Sequence, residues 1–175
     1  MTVEARSFFV LGGARSGKSR YAQKLAEGFD GSRTYIATAQ AFDDEMRERI
    51  ARHQADRDTS WETVEAPIGL ADAILEQDSP ENVILVDCLT LWLSNLLLAE
   101  HDLEVECAAL TSMVPDLRAR IVFVSNEVGL SVVPDNALAR RFRDAAGLLN
   151  QDLARICDQS EFMVAGYPIR LGAVR

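Results

Sequence analysis

The stretch Gly12-Gly13-Ala14-Arg15-Ser16-Gly17-Lys18-Ser19 constrains this chain more than any other. It fits the phosphate-binding pattern G-x-x-x-x-G-K-[S/T], which has meaning only between a strand and a helix. Both flanks are present. Ser7-Phe8-Phe9-Val10-Leu11 has the aromatic and β-branched bias of a buried strand. Ser19 to Glu27 places Tyr21, Ala22, Leu25 and Ala26 at helical spacing. Glycines let successive N–H groups curl inward around a phosphate, and the following helix adds the positive end of its dipole. Lys18 is then expected at the β and γ phosphates of a nucleotide, and the Ser19 hydroxyl on a Mg²⁺ ion.

The 175 residues, 48% of them hydrophobic, suffice for one ordinary domain with a full core. A net charge of −9 argues against nucleic acid or an anionic membrane as the main partner, because those surfaces need clustered Lys and Arg. A phosphate site here must therefore be a local basic island. Cys88, Cys107 and Cys157 are widely spaced and odd in number, which points to neither a disulfide framework nor a zinc site. A reducing cytoplasmic setting fits them. The N-terminus lacks a signal-peptide apolar run, and Leu89 to Ala99, interrupted by Ser94-Asn95, is shorter than the roughly 20 residues of a membrane span. It reads as a buried helix.

Along the chain, strands alternate with helices. Strands are expected at Thr34–Ala37, Trp61–Val64, Asn82–Asp87, Ile121–Ser125 and, closing the set, Glu161–Gly166. Helices are expected from Asp43 to about Arg57, Pro67 to Glu76, Leu89 to Ala99, Glu104 to Arg118 with an interruption near Pro115, and Asn136 to Asp158. The order predicts an α/β, P-loop NTPase-like fold: a mostly parallel sheet with helices on both faces and right-handed crossovers. Ligands in such folds sit at the carboxyl ends of the strands. That gathers Gly12–Ser19, Ala37–Gln40, Asp87 and Ser125–Gly129 around one crevice.

Several residues there can carry chemistry. Asp87 ends the run Val83-Ile84-Leu85-Val86 and suits a carboxylate holding Mg²⁺, directly or through water; it equally suits the N-cap of the next helix. His53 shares a helical stripe with Arg49 and Arg57, cations that disfavour the imidazolium and can neutralise a triphosphate. On spacing alone it is either a nucleophile or a solvent-facing histidine. Glu127, directly after a strand, can act as a base or stand as an exposed loop residue. Arg140, Arg141 and Arg143 with Asn150-Gln151 form a basic patch or a solvated face. The guanine signature N-K-x-D is absent, which disfavours a Ras-like switch.

Taken together, Gly12–Arg20, Tyr35-Ile36-Ala37-Thr38-Ala39, Asp44-Glu45-Met46 with Arg49-Ile50 and His53, and Asn126-Glu127-Val128-Gly129 with Val133-Pro134 and Asn150-Gln151 resemble the bifunctional adenosylcobinamide kinase / adenosylcobinamide-phosphate guanylyltransferase family of cobalamin biosynthesis. The resemblance runs in order over nearly the whole chain. It implies phosphoryl transfer from ATP or GTP to adenosylcobinamide. It also implies transfer of GMP from GTP to adenosylcobinamide phosphate through a guanylyl-histidine, here His53. Carried with it are nucleotide contacts at Gly12, Gly13, Ala14, Arg15, Ser16, Gly17, Lys18 and Ser19, at Ala37, Thr38 and Ala39, at Gln54, Ala55, Asp56 and Arg57, and at Glu65 and Asp87. The family is similar in forming homotrimers. One departure is Asp58, where family members often carry proline. Two other readings remain at this level: a P-loop small-molecule kinase without a covalent intermediate, and a nucleotide-binding regulator.

Overall fold

The computed structural model describes residues 5–40 and 58–172. The expected helix from Asp43 to Arg57, and with it Arg49, His53, Gln54, Ala55, Asp56 and Arg57, lies outside the described residues.

Among the described residues the elements run β1 (Ser7–Gly12), α1 (Lys18–Glu27), β2 (Ser32–Ala37), β3 (Trp61–Glu65), α2 (Leu70–Glu76), β4 (Asn82–Asp87), α3 (Leu89–Leu98), α4 (Leu103–Met113), β5 (Arg120–Asn126), α5 (Ala137–Ile156), β6 (Gln159–Val164) and β7 (Tyr167–Leu171). The strands form one seven-stranded sheet in the order β3-β2-β4-β5-β1-β6-β7. Every neighbouring pair is parallel except β6 and β7. β1, β4 and β5 lie in the middle and are buried along nearly their whole length, as continuous apolar runs require.

Because side chains alternate across a strand, each run feeds two cores. Phe8, Val10, Leu85, Val122 and Val124 point to the face covered by Ala22 and Ala26 of α1. Phe9, Leu11, Ile84, Val86 and Phe123 point to the other, where they meet Ile74 of α2, Trp92 and Leu93 of α3, Leu110 of α4 and Leu149 of α5. Trp92 is 1% exposed and donates Nε1–H to the Ile68 carbonyl at 2.6 Å, so the apolar α3 is a core helix.

The break near Pro115 falls where it is expected, whereas the close of the sheet does not. α4 stops at Met113 because Pro115 cannot supply the next N–H, and the chain continues as a single 3-10 turn, Val114–Asp116. Glu161–Gly166 does not close the sheet: Ala165 and Gly166 have φ of 50° and 86°, which turns the chain into the antiparallel edge strand β7. The long helix begins where its cap predicts, with the Asn136 side chain accepting from the Ala139 N–H at 2.7 Å.

Candidate active site

The P-loop leaves β1 at Gly12 and enters α1 at Lys18. Its turn is held by the Ser16 N–H donating to the Gly13 carbonyl at 3.3 Å. Gly17 closes it at φ 92°, a conformation that disfavours any side chain. α1 starts there with no side-chain cap, so its first N–H groups have no side-chain acceptor and suit an anion. Lys18 is 8% exposed and donates Nζ–H to the Gly13 carbonyl at 3.3 Å, folding its ammonium over the loop. The Ser16 Oγ is buried with no hydrogen-bond partner among the described residues and lies against Gly12, where an added Cβ would come within 2.5 Å of it.

The other crevice walls come from the neighbouring strand ends. β2 and β4 run in register to a last pair, Ala37 and Asp87. Asp87 is half-buried, and it is not the cap of α3: that position belongs to Cys88, and the helix has no side-chain cap at all. The capping alternative is thereby removed. Burial, then the Asp87 charge, push the Cys88 thiol up, while the Lys18 ammonium opposes them. Lys18 and Asp87 thus act on the same sulfur. Glu65, at the end of β3, is exposed; the next residue, Ala66, donates its N–H to the Ala37 carbonyl at 2.8 Å.

On the far side, Glu127 donates its N–H to the Gly12 carbonyl at 3.0 Å, tying the segment after β5 to the root of the P-loop. Its carboxylate accepts from the Gly129 N–H in an exposed turn, and the residue as a whole is half-buried. The expected basic patch is not one surface. Arg140 donates to the Pro134 and Asp135 carbonyls at 2.9 and 2.8 Å, Arg143 pairs with Asp144 at 2.9 Å, and Asn150 is buried, accepting from Ser125 Oγ at 2.7 Å.

Sequence reasoning missed the second support of the P-loop. The Gly166 N–H donates to the Ser16 carbonyl at 2.9 Å, and a Cβ on Gly17 would lie 3.3 Å from Gly166 Cα. The β6–β7 turn therefore packs on the loop itself. Its base is fixed by Glu161, which accepts from the Tyr21 hydroxyl and pairs with Arg170 at 3.2 Å. Burial, then this hydrogen bond, push the Tyr21 hydroxyl up to about 12, so it stays a donor at neutral pH.

Magnesium fits the donors present in one form only. No group of three or more His, Cys, Asp or Glu able to hold a metal exists among the described residues. An all-protein cage is absent from them. One uncapped carboxylate at a strand end and one hydroxyl in the first turn of α1 are what an ion shared with nucleotide phosphates requires.

Fold and site together define a P-loop nucleotide-binding α/β protein. The particular family follows from comparison with known proteins. The chain belongs to the cobinamide kinase / cobinamide phosphate guanyltransferase family, whose model matches residues 8–171. It is 49% identical to the bifunctional adenosylcobalamin biosynthesis protein CobP of Pseudomonas aeruginosa, over 93% of this chain and 95% of that protein. It is 40% identical to the bifunctional adenosylcobalamin biosynthesis protein CobU of Salmonella typhimurium, over 93% and 97% respectively. A solved structure from Pyrococcus horikoshii OT3 shares the fold at a TM-score of 0.56 and 9% identity, over 99% of this chain and 89% of that one.

Proposed function

We propose that this chain carries out two successive group transfers at one crevice. It is a cobinamide kinase and cobinamide phosphate guanylyltransferase of cobalamin biosynthesis. The observation that carries the reading at residue level is the P-loop cradle, with the Lys18 ammonium over it and the uncapped Asp87 across from it. In the kinase step the aminopropanol hydroxyl of adenosylcobinamide attacks the γ-phosphorus of ATP or GTP; the nucleoside diphosphate leaves and the hydroxyl proton is released. Lys18 and the amides at the start of α1 stabilise the charge that builds on the transferring phosphoryl oxygens. In the second step a ring nitrogen of His53 attacks the α-phosphorus of GTP and pyrophosphate leaves. The corrinoid phosphate then displaces the histidine to give adenosylcobinamide-GDP. Splitting the transfer in this way replaces one difficult displacement by two easier ones.

Ser19 and Asp87 would hold the Mg²⁺ that accompanies the nucleotide, where it offsets phosphate charge. Ala37–Ala39, Gln54–Arg57, Glu65 and Asp87 complete the nucleotide contacts on this reading, and Arg49 and Arg57 meet the departing pyrophosphate. We place the enzyme in the cytoplasm, a reading supported by its free cysteines, and as a homotrimer, for which the exposed apolar side chains Tyr167, Ile169 and Leu171 of β7 offer surface. No helix among the described residues is long and apolar enough to cross a membrane.

The test is covalent labelling. Wild-type protein and the His53→Ala variant are incubated with Mg²⁺ and GTP labelled at the α-phosphate, then denatured and counted. Acid-labile label on wild type and none on the variant is expected. Absence of label on wild type, with GTP binding confirmed separately, overturns the guanylyl-histidine and leaves a kinase without a covalent intermediate.

A further inference from the structure

Ala37–Ala39 stands at the carboxyl end of β2, and the Thr38 side chain there turns into the protein. Thr38 is 0% exposed. Its Oγ1–H donates to the Cys88 carbonyl at 2.7 Å, and the same oxygen accepts the Cys88 N–H at 2.9 Å. Its own carbonyl accepts from Asn95 Nδ2 at 2.8 Å, and Asn95 also donates to the Pro67 carbonyl at 3.0 Å. Asn95 is itself buried, in a markedly apolar helix.

The position of this knot gives it a purpose. The β2–β4 ladder ends at the pair Ala37 and Asp87. One residue further, where ladder bonds have stopped, the hydroxyl of the residue that follows β2 takes both main-chain groups of Cys88. Asp87 is thereby gripped from both sides, by the last ladder pair before it and by Thr38 after it. A second set of contacts reaches Cys88 from β5: Asn126 Nδ2 donates to Thr90 Oγ1 at 2.7 Å, and Thr90 Oγ1 lies 3.2 Å from the Cys88 sulfur.

We propose that Thr38 is a positioning residue: its hydroxyl fixes the Asp87–Cys88 segment so that the Asp87 carboxylate is preset for the nucleotide's divalent cation, while its side chain makes no contact with the nucleotide. The inference rests on Asp87 being the cation-binding carboxylate of the proposed function. Valine has nearly the same shape and lacks the hydroxyl; in its place the Cys88 N–H loses the oxygen it meets and the grip on Asp87 is released. Serine keeps the hydroxyl. Outer-shell partners of metal-binding groups typically contribute about 10- to 100-fold to metal affinity.

The experiment measures affinity for a fluorescent N-methylanthraniloyl GTP analogue in excess Mg²⁺ and again in EDTA. The ratio of the two is the gain conferred by Mg²⁺. It is compared in wild type, Thr38→Val, Thr38→Ser and Asp87→Asn. Expected are a gain in wild type that Asp87→Asn abolishes, that Thr38→Val lowers by about 10-fold or more, and that Thr38→Ser keeps within about 2-fold, each variant being read against its own affinity in EDTA. A Thr38→Val protein that loses affinity equally in EDTA is touching nucleotide directly, and one that loses only thermal stability is merely structural; either result overturns the proposal. Should the valine variant not fold, Thr38→Ala removes the same hydroxyl and leaves room for water, and is read the same way. If Asp87→Asn retains the full gain, the metal role of Asp87 fails and the positioning role with it. That outcome is recognisable because it appears in the Asp87 variant and not only at Thr38.

Discussion

Gly31 and Gly147 should respond to the same substitution with opposite signs. Gly31 stands just ahead of β2 at φ 126°, and an added Cβ would lie 2.2 Å from the Glu81 carbonyl oxygen. That oxygen belongs to backbone and cannot swing aside. It also accepts the Ser32 N–H at 3.0 Å, the bond that opens the β2–β4 pairing. Gly31→Ala therefore meets both an unfavourable φ, about 1–3 kcal/mol, and the weakening of a ladder hydrogen bond, about 1 kcal/mol. The sum, about 2–4 kcal/mol, corresponds to a fall in Tm of roughly 5–15 °C for a chain of this size. Gly147 lies in the interior of α5, and an added Cβ would meet nothing within 4 Å. Gly147→Ala should raise stability by about 0.5–1 kcal/mol, because glycine in a helix interior forfeits that much relative to alanine. Urea unfolding of the two variants beside wild type, with m values compared, checks both. Gly31→Ala within about 0.5 kcal/mol of wild type would refute the clash argument, since an unhindered site is the only way to reach that value.

Lys18→Met should lower the rate of phosphoryl transfer to cobinamide by about 100- to 1,000-fold, measured as nucleoside diphosphate formed; a loss below tenfold would remove Lys18 from the catalytic machinery. Burial pushes Asp158 up, but N–H donation from Arg6 and Ser7 and the Ser7 hydroxyl outweigh it and hold the carboxyl below its usual range. Its contribution to stability is then complete above the unfolded carboxylate value near 4 and disappears as pH falls through the lower folded one, so Asp158→Asn should lose less stability than wild type on acidification below about pH 4. Burial raises the Cys107 and Cys157 thiols to about 11 and about 12 and pushes the Cys88 thiol up as well. At pH 8 a thiol reagent should therefore label the three cysteines of the chain rapidly only in denaturant, and one fast-reacting native thiol would contradict this.

Legibility in the sequence followed the range of the interaction involved. Phe8-Phe9-Val10-Leu11 and Val83-Ile84-Leu85-Val86 announce central strands because each residue reports its own burial, and the P-loop announces itself because its requirements are local. Asp87 was legible as a carboxylate at a strand end; what it does not do, cap α3, needed the structure. Thr38, Asn95 and Cys88 were opaque because a hydrogen bond between residues 50 or 57 positions apart leaves no periodic trace. The one clue was the polar Asn95 inside an apolar helix. β7 was missed although Tyr167, Ile169 and Leu171 alternate along it: the run is only five residues long, and Pro168 reads as a strand breaker until it is seen at a sheet edge.

The strand that carries the P-loop is the earliest described strand in the chain, yet its two sheet neighbours, β5 and β6, come from residues 120–126 and 159–164, and the turn that braces Ser16 lies beyond both. During synthesis the phosphate loop must therefore wait, unpaired on either side, until most of the polypeptide has left the ribosome. A chain shortened before β6 would leave β1 unpaired on one side and the loop without its Gly166 brace, and is expected to bind nucleotide poorly.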